Sequence, residues 1–204
     1  RLGSAAAERL RAAGFLVHAR TRSELDIADA EGVRETVSAL RPDVIVNAAA
    51  YTNVARAPSE PEALRRANVE GPAVLAACAA RFDARLVHFS TDYVFSGGGL
   101  KSHRESDPRR PAGAYGRSKA LGEARIELSG ARYWIVRIGW LHGAGNDFVV
   151  RVLDQALAGK AIVMRRNQWG RPTSYDAVAR LSAALCGHPE VAGGGSAVFH
   201  FGQA

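Results

Sequence analysis

The stretch Asp43-Val44-Ile45-Val46-Asn47-Ala48-Ala49-Ala50 decides the fold. Three β-branched residues in succession leave no polar face, so this is a short strand covered on both sides, as in the middle of a parallel sheet. It empties into a loop of small side chains. Upstream, Asp29 to Leu40 is amphipathic and reads as a helix closing at Arg41-Pro42. Before it, Phe15-Leu16-Val17-His18-Ala19 reads as a strand, and Ser4 to Ala13 as a helix with Gly14 at its C-cap. Downstream, Glu62 to Ala80 reads as a long helix bent at Pro72, Ala84 to Ser90 as a strand, Ala114 to Ser129 as a helix, and Tyr133 to Arg137 as a strand. Helices and strands in strict alternation predict parallel βαβ units, hence an α/β doubly wound parallel sheet. The alternation breaks after residue 142, and the part from Gly143 onward is expected to contribute a small C-terminal substrate-facing subdomain.

Composition narrows the class. The chain has 204 residues, 47% hydrophobic and 23% charged, the balance of a globular protein with one ordinary domain. No apolar run reaches the roughly 18 residues of a membrane span, and no basic-then-apolar signal segment opens the chain. Cys78 and Cys186 stand far apart in alanine- and leucine-rich surroundings, which suits buried free thiols in a reducing cytoplasm. The net charge of +7 invites a polyanionic partner, but the arginines are scattered and no nucleic-acid module is present. An anionic small ligand is the expectation, with no nucleic acid and no membrane as partners. His18, His88, His142 and His200 lack metal-ligand spacing and read as structural, so no metal is expected.

The chemistry gathers around Tyr115-Gly116-Arg117-Ser118-Lys119. A spacing of four puts the phenol and the amine one turn apart on one helical face. A lysine ammonium there would stabilise a phenolate and lower a pKa that is ordinarily about 10, preparing the tyrosine for proton transfer to a carbonyl. Earlier in the chain, the strand through Leu86 to Phe89 ends in Ser90-Thr91-Asp92-Tyr93-Val94-Phe95. Ligands of open α/β sheets bind beyond the carboxyl ends of strands, where hydroxyls can hold a substrate carbonyl. Ser90 or Thr91 could equally cap a turn. A hydroxyl pair at a strand end followed by a Tyr-Lys pair on the next helix is a constellation rather than a single motif.

With these residues in view, the chain resembles an extended short-chain dehydrogenase/reductase of the dTDP-4-dehydrorhamnose reductase family. The likeness rests on Leu25-Asp26-Ile27, Val46 to Thr52, Ser90 to Phe95, Tyr115-Gly116 and Ser118-Lys119, then Gly122-Glu123, Arg137 with Trp140, Asn146-Asp147-Phe148, and Gln168 with Gly170, Pro172 and Thr173. It implies a Rossmann-like fold, with residues 1–142 as the NADP(H)-binding domain and 143–204 contributing to the substrate-binding subdomain. Arg1-Leu2-Gly3 resembles the last piece of a glycine loop, so a first strand and earlier glycines are expected ahead of it. The activity implied is NADPH-dependent reduction of the 4-keto group of a dTDP-linked deoxysugar, dTDP-4-dehydro-L-rhamnose to dTDP-L-rhamnose.

The resemblance also implies roles. Thr91, Tyr115 and Lys119 form the catalytic trio, with Tyr115 as acid. Arg1, Leu2, Asp26, Ile27, Ala50, Tyr51, Thr52 and Phe89 meet the cofactor together with Tyr115 and Lys119. Thr91, Asp92, Tyr93 and Trp140 meet the sugar nucleotide. Asp26 could instead cap a helix, and Trp140 could be core packing. Arg20 and Arg22 follow the second expected strand where NAD enzymes carry an acid, which favours NADPH, with NADH still open. A homodimer is a possible assembly. The chain departs from the family pattern at Val54-Ala55-Arg56-Ala57-Pro58, where two acids are expected, and Arg165, Arg166 and Arg171 could meet a pyrophosphate. Two other functions therefore stand beside the first: a ketoreductase or epimerase for another nucleotide deoxysugar, and a non-catalytic cofactor-binding regulatory subunit.

Overall fold

Four strands, all parallel, carry the molecule in a computed structural model that describes residues 1–97, 102–143, 145, 147–164, 170–191 and 193–202. In chain order the elements are α1 (Leu2–Ala12), α2 (Ala30–Leu40), β1 (Val44–Asn47), α3 (Pro61–Arg65), α4 (Gly71–Arg81), β2 (Arg85–Thr91), α5 (Ala114–Glu127), β3 (Arg132–Ile138), β4 (Leu141–His142), α6 (Phe148–Leu157), β5 (Thr173–Ser174), α7 (Tyr175–Cys186) and β6 (Ala197–Phe201). The main sheet runs β1-β2-β3-β6, and β4 pairs with β5 in a separate short ladder. Val46 lies opposite Val87, Val87 opposite Trp134, and Trp134 opposite Ala197.

Alternation along β2 and β3 sends successive side chains to opposite faces. Leu86 and Ile135 meet Val33, Val37, Leu75, Ala79 and Ile126 from α2, α4 and α5. Val87, Phe89, Trp134 and Val136 meet Leu2 and Val178 from α1 and α7. Two apolar layers around one buried sheet make the fold a Rossmann-like α/β doubly wound one. After residue 142, β6 joins the main sheet beside β3 and α7 packs on that sheet with α1, while α6 and β5 lie outside it, β5 pairing with β4.

Three expectations differ from the structure. β1, expected in the middle of the sheet and covered on both sides, is an end strand of the four, with Val44, Ile45 and Val46 half-buried. Phe15 to Ala19 is not a strand: none of the described strands pairs with it, and Leu16 is 89% exposed. Phe15 turns back onto the end of α7, its ring 3.5 Å from where a Gly187 Cβ would stand, so its apolar side is used in packing rather than in a ladder. The helix expected over 62–80 is interrupted before Pro72, by a π turn over Arg66–Glu70. Proline has no N–H to offer the carbonyl four residues back, which frees Asn68 and loosens that turn.

Candidate active site

The site forms where β2 ends and α5 begins. Every residue of β2 is buried, up to Thr91 at its carboxyl end. Thr91 Oγ1 accepts from the Tyr93 amide (3.2 Å), which starts a tight turn over Asp92–Val94, and donates to Asp92 Oδ1 (3.0 Å). That turn lies under the first residues of α5: a Cβ on Gly116 would stand 2.1 Å from the Tyr93 carbonyl oxygen. The close approach sets the Tyr115 phenol beside the Thr91 hydroxyl, and the Tyr93 and Tyr115 rings meet edge to face at 5.8 Å. Thr91, Asp92, Tyr93 and Tyr115 thus lie together where β2 meets α5.

Burial pushes the Tyr115 phenol up to about 12, with the Thr91 hydroxyl pulling the other way and Asp92 and Tyr93 adding to the rise. Burial likewise lifts the Asp92 carboxyl above its ordinary value. The expectation that Lys119 lowers the phenol's pKa is not met. The lysine is one turn further along α5 and turns away, its Nζ 2.7 Å from the Phe89 carbonyl oxygen and 2.9 Å from His88 Nε2. Burial pulls it down to about 8. The phenol consequently stays protonated at neutral pH, the form a proton donor needs.

His88, read from the sequence as structural, is therefore in direct contact with the site lysine. Its other nitrogen, Nδ1, is 3.0 Å from Asn47 Nδ2, and Asn47 Oδ1 accepts from the Ala49 amide at 3.0 Å. Burial holds the imidazole neutral. Behind Thr91, Glu123 is fully buried and accepts from Ser90, from Arg109 (3.0 Å) and from Arg137 (2.7 Å), which keeps its carboxyl below the usual range although burial pushes the other way.

Asn68 was not visible from the sequence. It sits inside an interrupted helix with no motif around it. Buried completely, it accepts from the Tyr51 amide (2.9 Å), donates to the Tyr51 carbonyl (3.0 Å) and reaches Ser118 Oγ (3.0 Å), so it ties the loop after β1 to α5. Gly122 packs on the Asn68 carbonyl, where its Cβ would stand 2.1 Å away.

The other expected residues are spread around this centre. Ala50, Tyr51 and Thr52 follow the carboxyl end of β1, and the Tyr51 hydroxyl donates to Glu60 at 2.7 Å. Phe89 directs its ring into the core and its carbonyl to Lys119. Asp26 accepts from the Ala28 amide (3.0 Å) and pairs with Arg66, while Asp29 is the residue that caps α2. Ile27 packs over Gly71. Trp140 lies against Gly170 and meets Phe148 edge to face at 5.1 Å. Asn146, Arg165, Arg166 and Gln168 lie outside the described residues.

A dinucleotide fits the donors present. The first turn of α1, opened by Arg1, has no side-chain cap, so its N–H groups are available to an anion, and Gly3 stands 3.6 Å from Ala48 through its would-be Cβ. Small residues there keep the loop after β1 low beside the helix start. The exposed Arg20 and Arg22 suit a further phosphate.

Comparison with known proteins agrees with this geometry. The model of the RmlD substrate binding domain matches residues 1–204. The chain is 36% identical over 189 residues to the spore coat polysaccharide biosynthesis protein SpsK of Bacillus subtilis, covering 92% of the chain and 67% of that protein. It is 37% identical over 186 residues to the dTDP-4-dehydrorhamnose reductase of Salmonella typhimurium, covering 86% and 62%. The chain spans between 51% and 67% of the length of the curated relatives it matches. The crystal structure of a Clostridium acetobutylicum dTDP-4-dehydrorhamnose reductase superposes with a TM-score of 0.91 at 30% identity, covering 100% of this chain and 71% of that one. A Bacillus anthracis dTDP-4-dehydrorhamnose reductase in complex with NADP gives 0.91 at 28%, with the same coverage.

Proposed function

The chain belongs to the RmlD substrate binding domain family, and on that footing we propose that it reduces the 4-keto group of a dTDP-linked deoxysugar with NADPH, converting dTDP-4-dehydro-L-rhamnose to dTDP-L-rhamnose. The observation that carries this reading is the half-buried Tyr115 beside the Thr91 hydroxyl at the carboxyl end of a central strand. The NADP complex of a relative supports the choice of cofactor.

NADPH supplies the hydride when bound. Thr91 holds the substrate carbonyl, and Tyr115 gives its phenolic proton to the oxygen as the alcohol forms. Lys119, beside the Phe89 carbonyl, binds the nicotinamide ribose. Arg1, Leu2, Asp26, Ile27, Ala50, Tyr51, Thr52 and the Phe89 backbone border the cofactor, with Arg20 and Arg22 at a 2′-phosphate. Asp92, Tyr93 and Trp140 face the sugar nucleotide. Within 143–204, the substrate-facing part is α6 and the residues around β5, since β6 belongs to the main sheet and α7 packs on it.

A cytoplasmic location and a homodimer complete the proposal. Two free, buried cysteines are in keeping with the first, and none of the described helices is long and apolar enough to cross a membrane. The test is NADPH oxidation by the purified chain with dTDP-4-keto sugars and with their counterparts on other nucleotides. Turnover of the rhamnose precursor that disappears in Tyr115→Phe, with NADPH binding kept, is the expected result. Selective turnover of a different nucleotide sugar would reassign the substrate, and binding without any turnover would make the chain a regulatory subunit.

A further inference from the structure

Behind the tyrosine, three buried side chains share hydrogen bonds whose donors can be counted. The Ala49 amide N–H donates to Asn47 Oδ1 (3.0 Å), which fixes that end of the side-chain amide as oxygen. The NH₂ end therefore faces His88 Nδ1 at 3.0 Å. An amide NH₂ only donates, so Nδ1 must accept. A neutral imidazole then carries its one proton on Nε2, aimed at Lys119 Nζ 2.9 Å away. A lone pair is needed to receive it. An amine has one and an ammonium has none. The amine's own N–H goes to the Phe89 carbonyl at 2.7 Å. With an ammonium, two donors would face each other, either at Lys119 and His88 or, with the ring proton moved, at His88 and Asn47.

We propose, on the assignment of Tyr115 and Lys119 given above, that Asn47 and His88 are positioning residues that lock the Nε2–H tautomer of His88 and so favour the neutral amine of Lys119 over its ammonium in the resting site. The groups around Lys119 agree. From β2 come His88 and the Phe89 carbonyl, and from β1 Asn47 acts through the imidazole. On α5, Tyr115 lies one turn before it and Glu123 one turn after. Glu123 favours the ammonium, but its carboxylate is already engaged by Ser90, Arg109 and Arg137. Asp92 acts on Tyr115. Burial drives the lysine to about 8, the same direction as the tautomer lock. A lysine poised there exchanges a proton close to neutral pH, which a permanent cation cannot do.

The test uses the full chain without cofactor, labelled with ¹⁵N. Histidine ring correlations are expected to find Nε2 protonated and Nδ1 bare at residue 88, and the Lys119 amine to titrate well below an ordinary lysine. In Asn47→Asp, the carboxylate accepts from both Ala49 N–H and Nδ1–H, so the ring proton should move to Nδ1 and the lysine midpoint rise by at least one pH unit. Asn47→Ala, which adds no charge, should raise it by less. A wild-type Nδ1–H tautomer, or a lysine midpoint unmoved in both variants, would overturn the lock. Should the tautomer and both shifts be found in a protein that reduces no keto sugar, the lock stands and the assigned reaction falls.

Discussion

Gly116 and Tyr93 meet through their backbones, with 2.1 Å between the Tyr93 carbonyl oxygen and the place a Gly116 Cβ would occupy. No real Cβ tolerates that distance to a main-chain atom, and neither partner is a flexible side-chain tip. The contact is what lets α5 start low enough for Tyr115 to reach Thr91. Gly116→Ala should push the helix start away from the turn, at a cost of about 1–3 kcal/mol in stability, as for other overpacked sites. Keto reduction should fall far more than that loss explains. Urea unfolding and kcat measured on the same protein separate the two effects; an alanine variant with full activity would refute this account of the site.

Asn68 gives a second test. Asn68→Ala leaves the amide and carbonyl of Tyr51 without their buried partner, and each such loss costs about 1–3 kcal/mol. Because the loop after β1 borders the proposed cofactor channel, the variant should weaken NADPH binding about tenfold or more, a change of about 1.4 kcal/mol. Fluorescence titration reads this directly. Equal affinity in the variant would remove the loop from the cofactor site.

How much of this was legible in the chain follows from distance in sequence. Val44 to Val46 and Leu86 to Phe89 announce parallel strands by their near-continuous apolar runs, although only the second is buried throughout, β1 being an end strand of the sheet, and Tyr115 and Lys119 announce themselves by helical spacing. Phe15 to Ala19 has the composition of a strand, but a ladder needs a neighbour, and no window of sequence supplies that information. Asn68 and the Asn47–His88–Lys119 chain depend on contacts between residues 17 to 50 positions apart, so single polar residues carried no local signal. The direction of the lysine departs from expectation for the same reason: one-turn spacing gives proximity to Tyr115, while the hydrogen-bond partners that orient the amine come from β2.

Glu123 anchors the floor of the site, and its pH dependence has a definite sign. Its folded pKa lies below its unfolded one, so its contribution to stability is present above the ordinary carboxylate value, about 4.3, and is lost as pH falls through the folded value. Glu123→Gln strands Arg137 in the interior without its counter-charge, which should cost about 3–5 kcal/mol at pH 7. The gap between variant and wild type should narrow steadily in acid. Denaturant midpoints from pH 7 downward measure it; a gap that widened in acid would contradict the ion pair's role.

Thr91 carries the last prediction. Its hydroxyl is the group that pulls the Tyr115 phenol down against burial. Thr91→Val keeps the shape but removes the hydroxyl, so the phenol's pKa should rise beyond its value of about 12. In the reducing direction the phenol is already protonated, so the variant loses the carbonyl's hydrogen-bond partner and should fall about 10²–10³-fold in kcat without a new pH dependence. In the reverse direction, alcohol oxidation needs the phenolate. There the wild type should gain rate steadily toward alkaline pH, and the variant should need still higher pH to reach the same fraction of its own maximum. Thr91→Ser, which restores the hydroxyl, should recover most of both. If the serine variant were as impaired as the valine one, the methyl group of Thr91 rather than its hydroxyl would be the part the site uses.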